Sequence, residues 1–323
     1  MYKLILLVGI ITTSIVQVQD LTTDADLSIT IDHIRKELND ARDGIKSAHI
    51  VRIEQTFRDE MSEKNLTKDL ALLRKIDLNQ EWVSEANILI DCGTGNAKSI
   101  RTDIRDLNEI GRTNGLSPEE SASLSQDRIT LIKGNYHLIL FHDSSTPRLV
   151  LDKESASANS FLTIPYLGTV DQNTFDDKYS PKIVGYSPFI VIETTIPLTN
   201  GMRTGRFELD PELQYHIRSI RWYQGSICTG EFVADDYRNI NGILYPFIFK
   251  MWIFNPTTGI RRRENSFYVQ EAQFNIPLSE KDFKTFIPKD TLLSCVQSEG
   301  RVLKGGCYLG IDDILEMNGE PTK

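Results

Sequence analysis

Apolar residues at Ile31, Ile34, Leu38, Ala41 and Ile45 recur at spacings of three and four, with Asp32, Arg35, Lys36, Glu37, Asp40 and Arg42 between them. That period lines one face of a helix, and Gly44 supplies its stop. From His49 to Phe57 the period drops to two: Val51, Ile53 and Phe57 alternate with Ile50, Arg52 and Glu54, which predicts a strand. Leu66, Leu70, Leu73 and Ile76 suit a helix or an ordered loop. Residues 85–92 read as a short buried strand, Gly93-Thr94-Gly95-Asn96 as a turn, and 99–106 as the hairpin partner. Ser117-Pro118-Glu119-Glu120 has Ser at the cap, Pro at the first helical position and Glu at the third, a capping box that starts a helix. Residues 129–141 form a strand pair split at Gly134-Asn135, and 156–168 a short helix on the rim of a sheet.

In the second half, strand patterns come at regular intervals, at 190–195, 205–209, 217–223, 227–234, 245–254 and 265–274. Turn residues separate them at Asn200-Gly201, Asp210-Pro211, Gly225-Ser226, Asn241-Gly242 and Thr258-Gly259. Residues 311–317 suit a last helical turn. Many strands joined by short turns predict a meandering antiparallel sheet that must close or be covered. The strand at 245–254 is unusual. Tyr245, Phe247, Phe249, Met251 and Ile253 line one face, Ile248, Trp252 and Phe254 the other, and only Lys250 interrupts. A sheet wetted on one side would alternate with polar residues. This strand therefore has cover on both faces, and two readings stand side by side: a packed core, or one face lining an apolar cavity.

Hydrophobic residues make up 40% and charged residues 25% of the 323-residue chain. That is ordinary globular composition and argues against disorder. The net charge of −9 and the absence of a basic face argue against nucleic acid as a partner. Arg261-Arg262-Arg263 follows a turn and reads as a solvated hairpin end. At the N-terminus, Lys3 precedes an apolar run over residues 4–16, shorter than the roughly 20 residues a membrane span needs. This is the layout of a secretory signal peptide over residues 1–19, with no A-x-A cleavage site and an uncleaved anchor as the rival reading. The expected compartment is the periplasm or the exterior. No linker or composition break divides residues 20–323, so a single domain is expected, with a C-terminal extension from about residue 290. Four cysteines allow three disulfide pairings. Only Cys295 and Cys307 are close in sequence, and Gly300, Gly305 and Gly306 let the chain fold back between them. Cys92 and Cys228 stay open between pairing and free buried thiols.

Catalytic patterns are missing from the chain. No H-E-x-x-H, G-x-S-x-G or G-x-x-x-x-G-K occurs. His33, His49, His137, His142 and His216 read as surface or packing residues. The acid pairs Asp176-Asp177, Asp235-Asp236 and Asp312-Asp313 read as solvated turns, since strand neighbours face opposite ways. No metal, cofactor or enzymatic activity is expected.

Tyr237-Arg238-Asn239-Ile240-Asn241-Gly242-Ile243-Leu244-Tyr245-Pro246, followed by a long strand, fits Y-x-x-(I/V)-x-G-x-x-(Y/F)-P. A terminal strand then leads into Asn275-Ile276-Pro277-Leu278, Phe283, Phe286 and Pro288. This order resembles the LolA-like superfamily of outer-membrane lipoprotein carriers and related periplasmic proteins, most clearly over residues 215–290. The chain is longer than the simple carriers, and the tail bearing Cys295 and Cys307 is extra. The resemblance implies an α+β fold, mainly antiparallel β: a curved, half-open β-barrel covered by helices around an apolar cavity. It implies non-enzymatic binding or transport of a lipid, acyl chain or other hydrophobic ligand, with a membrane-associated protein as a further partner. The alternative is a periplasmic sensor or protein-interaction module on the same fold. The expected cavity residues are Trp222, Phe232, Tyr245, Phe247, Phe249, Met251 and Trp252.

Overall fold

The computed structural model describes residues 29–58, 81–104, 127–133, 136–141, 148–152, 175–198, 201–295, 298–303 and 306–317. The expected signal peptide and the helices predicted near residues 66–76, 117 and 156–168 lie outside them. Helix α1 (Ile31–Asp43) begins where Thr30 accepts a hydrogen bond from the His33 amide through its side chain, and ends at Gly44. Its apolar stripe buries Ile34 and Leu38. Strands β1 (Ser47–Arg58), β2 (Glu81–Asp91), β3 (Asn96–Asp103), β4 (Arg128–Lys133), β5 (Tyr136–Phe141) and β6 (Arg148–Asp152) follow. The second half supplies β7 (Lys182–Gly185), β8 (Ile190–Leu198), β9 (Gly201–Asp210), β10 (His216–Gln224), β11 (Ile227–Ile240), β12 (Ile243–Phe254) and β13 (Arg261–Phe274). The tail adds β14 (Thr285–Ile287), β15 (Thr291–Cys295), β16 (Ser298–Leu303), β17 (Cys307–Leu309) and helix α2 (Ile311–Met317).

Among the described residues, one sheet of 15 strands runs in the order β16-β15-β6-β5-β4-β3-β2-β1-β13-β12-β11-β10-β9-β8-β7. It is two meanders joined at β1, which pairs antiparallel with β2 on one side and β13 on the other. Every pairing is antiparallel except that of β15 with β6. Turn chemistry explains the tight connections. Between β11 and β12, Asn241 and Gly242 both take positive φ, of 53° and 89°, and Asn239 Oδ1 accepts from the Gly242 amide at 2.8 Å. Positive φ at both central positions is what a right-twisted two-residue hairpin requires.

The mainly antiparallel expectation holds, and among the described residues the sheet is open, with β7 and β16 as its two edges. Helical cover is also thinner than expected. Among the described residues it consists of α1 over one face and the short α2 over the other. In the tail from residue 291, β15 and β16 extend the large sheet beside β6. The acid pair Asp235-Asp236 lies within β11 rather than in a turn, and Arg261 opens β13. Cys307 carries a free thiol, as do Cys92 and Cys228, so the Cys295–Cys307 bridge is not formed. Register explains this. Cys307 is paired with Ile287 in a separate two-stranded sheet, while Cys295 ends β15 in the large one.

Two cores follow from the two faces. The inner face, under α1, gathers Ile34, Ala48, Ile50, Ile88, Ile90, Ile190, Ile192, Phe207, Leu209, Ile217, Ile220, Tyr245 and Phe249. The outer face of β4 and β5 presents Leu131, Leu138 and Leu140, covered by Ile287, Leu293, Ile311 and Ile314. Strand β4 is thus apolar on both sides, since Ile132 faces the inner core. Arg35 fixes α1 to the segment before β7 by donating to the Phe175 carbonyl and pairing with Asp177 at 3.3 Å. Full burial of one such aliphatic side chain contributes about 1.5–3 kcal/mol. Ile34→Ala removes a side chain that is 0% exposed, and it should cost about 2–5 kcal/mol in urea denaturation at unchanged slope. A loss below about 1 kcal/mol, a value typical of surface positions, would show that α1 is not anchored on the sheet.

Candidate functional site

Register decides which side chains share a face. Phe267 and Val269 of β13 stand opposite Glu54 and Arg52 of β1, and Phe267 also stands opposite Phe249 of β12. Phe249 is opposite Ala234, and Met251 opposite Phe232, on β11. Phe232 is opposite Ile220 and Gly230 opposite Trp222 on β10, and Trp222 is opposite Gly205 on β9. Trp222, Phe232, Tyr245, Phe247, Phe249 and Met251 therefore line the inner face together. Trp252 does not join them. It lies on the outer face between Glu231 and Glu264.

The aromatic rings form connected pairs. Phe249 and Phe267 stack with centroids 4.5 Å apart and planes 14° apart. Phe232 lies 6.2 Å from Phe249, and Tyr245 lies 5.1 Å from Phe274. Phe207 meets Trp222 edge-on at 5.3 Å. The indole can lie along the sheet because its cross-strand neighbour on β9 is Gly205. A Cβ on Gly205 would fall 2.4 Å from the Trp222 ring, and one on Gly230 would be 3.5 Å away. At one end the face is closed, with Tyr245 and Phe249 at 0% exposure. Along β12 it then opens through half-buried Met251 to Ile253, 38% exposed.

Charges also point inward, which periodicity did not reveal. In β1 the inward residues Ala48, Ile50, Arg52, Glu54 and Thr56 are all buried, while Val51, Ile53 and Phe57 are only half-buried on the outer face. Arg52 donates to Glu54 Oε1 from Nε at 2.9 Å and from Nη2 at 2.7 Å. Arg101 reaches Glu54 Oε2 at 2.8 Å and donates to Ser84 Oγ at 2.7 Å. The Arg52 guanidinium lies 4.9 Å from the Phe267 centroid and 5.7 Å from that of Phe249. Burial pushes the Glu54 carboxyl pKa up, but the Arg52 and Arg101 charges and the Arg52 hydrogen bond outweigh it, and the net direction is down. A second arginine, Arg203, stacks on Trp222 with its guanidinium carbon 4.5 Å from the ring. Hydrophobic periodicity singled out none of Arg52, Glu54, Arg101 and Arg203 as site residues. The one available signal was the strict alternation Ile50, Arg52, Glu54 within a strand whose other face is equally apolar.

No family model matches the chain, and no curated protein matches it. Among solved structures, it is similar to a LolA superfamily protein from Nitrosomonas europaea, with 12% identity, a TM-score of 0.44, and coverage of 80% of this chain and 99% of that one. A DUF1329 family protein from Desulfovibrio piger is similar at 9% identity and a TM-score of 0.45, covering 78% of this chain and 95% of that one. An uncharacterized conserved protein from Thermus thermophilus is similar at 9% identity and a TM-score of 0.35, covering 80% and 98%. Likeness at this distance does not carry function, which lies in the site.

The charge cluster makes a pH-dependent contribution to stability. Since the folded Glu54 pKa lies below its ordinary 4.5, the contribution is complete above that value and is lost as pH falls through the folded pKa. Glu54→Gln leaves two buried guanidinium groups without their carboxylate and should cost about 3–5 kcal/mol near neutral pH. Urea midpoints of both proteins across the acid range should converge below pH 4.5. A gap that stays constant with pH would mean that Glu54 acts through packing alone.

Proposed function

We propose that the inner face of β8–β13 binds a lipid, acyl chain or other hydrophobic ligand, and that the protein is a non-enzymatic carrier or sensor working outside the cytoplasm. The observation that carries this reading is the course of the face along its strands. It is closed core at Tyr245 and Phe249, and it remains apolar through half-buried Met251 to Ile253, where exposure rises. α1 makes its ring contact at Tyr215, 5.4 Å from His33. Trp222 sits about 20 Å beyond the start of β10 at His216, at roughly 3.3 Å per residue of strand. An acyl chain laid on this surface gains about 0.8 kcal/mol per buried CH₂. Such a surface holds a chain without specific polar contacts, so the aromatic residues set capacity rather than identity.

A protein-interaction module is the second reading, and a separate surface favours it. Phe286 and Tyr308, on the small β14–β17 sheet, are 46% and 71% exposed, and their rings lie 5.4 Å apart. Exposed aromatic pairs are common anchors of protein interfaces.

Titration with a fluorescent fatty-acid analogue separates the two. Saturable binding is expected in the wild type. Met251→Trp, which fills the open end of the face, should weaken it roughly tenfold, the equivalent of about 1.4 kcal/mol. Trp252→Ala, on the outer face, should leave it unchanged, and melting curves would report any unfolding. If the wild type fails to bind, or both variants weaken binding alike, the inner face is not the site and the interaction reading takes its place.

A further inference from the structure

Beside Trp222 the inner face holds two polar side chains that the fold itself does not use. Among the described residues, Arg203 has neither an ion-pair nor a hydrogen-bond partner, and its Nε is buried. Its neighbours differ. Arg206 pairs with Glu193 on the outer face, Arg221 with Glu208 and Glu231, and Arg218 with Asp210 and Asp235. On the inner face Arg52 has Glu54. Burial lowers the Arg203 pKa, and no carboxylate offsets it. The second group is Thr194, 0% exposed, whose hydroxyl has no hydrogen-bond partner. Thr194 is directly opposite Gly205, and Gly205 is directly opposite Trp222. The residue between the hydroxyl and the indole is thus a glycine, and the Trp222 ring occupies the space above it. Gly230 lies on the far side, where a Cβ would stand in ordinary contact with Arg203 Nη2, 3.9 Å away.

Buried polar groups without partners are rare in folded proteins. A fully buried hydroxyl without a partner, on the same glycine-cleared shelf as a half-buried guanidinium that lacks an acid, marks a place where an anion arrives from outside. We propose that Arg203 and Thr194 form a head-group subsite for an anionic amphiphile, with the guanidinium pairing to an acidic oxygen and the Thr194 hydroxyl donating a second hydrogen bond. The chain of the amphiphile then runs along Met251 and Ile253, where the face is open. This rests on the hydrophobic-ligand reading and narrows it to ligands with an anionic oxygen head. A fatty carboxylate and a phosphate ester share that chemistry.

Displacement of a neutral fluorescent dye from the full-length protein by dodecanoate, dodecyl phosphate and dodecanol tests the subsite. The wild type should prefer at least one anion over dodecanol by about tenfold or more, as a charge-assisted pair implies. The preferred anion identifies carboxylate or phosphate as the head. Arg203→Met should abolish the preference while leaving dodecanol unchanged, Arg203→Lys should keep part of it, and Thr194→Val should reduce it several-fold. Equal affinity of all three compounds in the wild type would overturn the subsite and leave the apolar site standing. Weakening of dodecanol by Arg203→Met to the same extent as the anions would overturn it too. Failure of the dye and of every compound to bind would overturn both readings together.

Discussion

Pairing of β1 with β13 is the constraint on which the rest depends. It joins residues from near the two ends of the described chain, Ala48 with Phe274 and Arg58 with Arg263. Without it the sheet would be two separate meanders, each with an unpaired edge open to other strands. Asn275 fixes the junction. Its side chain accepts from the Lys46 amide at 2.7 Å and donates to the Gly44 carbonyl at 3.1 Å, and its own amide donates to the Ser47 carbonyl at 2.9 Å. It does so with φ of 56°, a conformation that Asn tolerates better than most residues. One side chain thereby ties the end of α1 to the start of β1 and the end of β13. Loop closure over such a span precedes any reward from the pairing, which makes the fold slow to form.

The register set at that junction also decides what the centre of the inner face contains. With Ala48 and Ile50 held inward, Arg52, Glu54 and Thr56 must face inward too, because a strand repeats every two residues. Apolar residues at those positions would stabilise the sheet as well or better, since a desolvated ion cluster offsets much of its own attraction. The structure limits this cost in two ways. Glu54 receives donors from both Arg52 and Arg101. Arg52 in turn lies over the Phe267 and Phe249 rings, and a guanidinium on a ring face loses less on leaving water than an ammonium does. The aromatic crowding of β12 and β13 is therefore part of what allows charge to sit inside.

Local pattern made much of the fold legible. α1, its stop at Gly44, the β4–β5 hairpin and the last helix α2 all follow from period and turn residues. So do β8 to β13, although β11 runs on to Ile240, six residues past the expected end. What stayed hidden depends on pairing between distant segments. β6, β7 and β14 to β17 have short strand patterns, and the parallel partnership of β15 with β6 has no local signature. The same gap explains the cysteines. Proximity in sequence suggested a bridge, but the small β14–β17 sheet draws Cys307 to Ile287 instead. At the candidate site, alternation separated Trp252 from Tyr245, Phe247, Phe249 and Met251, yet it could not rank the two faces. Arg203 was beyond reach, because its significance lies in the acid it lacks and the ring it covers.

A single sheet face thus grades from core to surface along its strands. In β8, Ile190, Ile192 and Thr194 are fully buried, while Ile196 is partly open. In β9, Leu209 and Phe207 give way to Gly205 and then to Arg203, and in β12 Phe249 gives way to Met251 and Ile253. Neighbouring strands are antiparallel, so these sequences run in opposite chain directions to reach the same edge of the face. The buried end fixes each backbone. Stiff strands then carry that precision outward to side chains that few contacts hold directly, which is what a site needs if it is to be preorganised and still open. Arg203 and Thr194 stand where the gradient turns, near enough to the core to be desolvated and far enough from it to lack partners. There an ionic contact with an incoming ligand would be stronger than at the open surface, because less water competes for it.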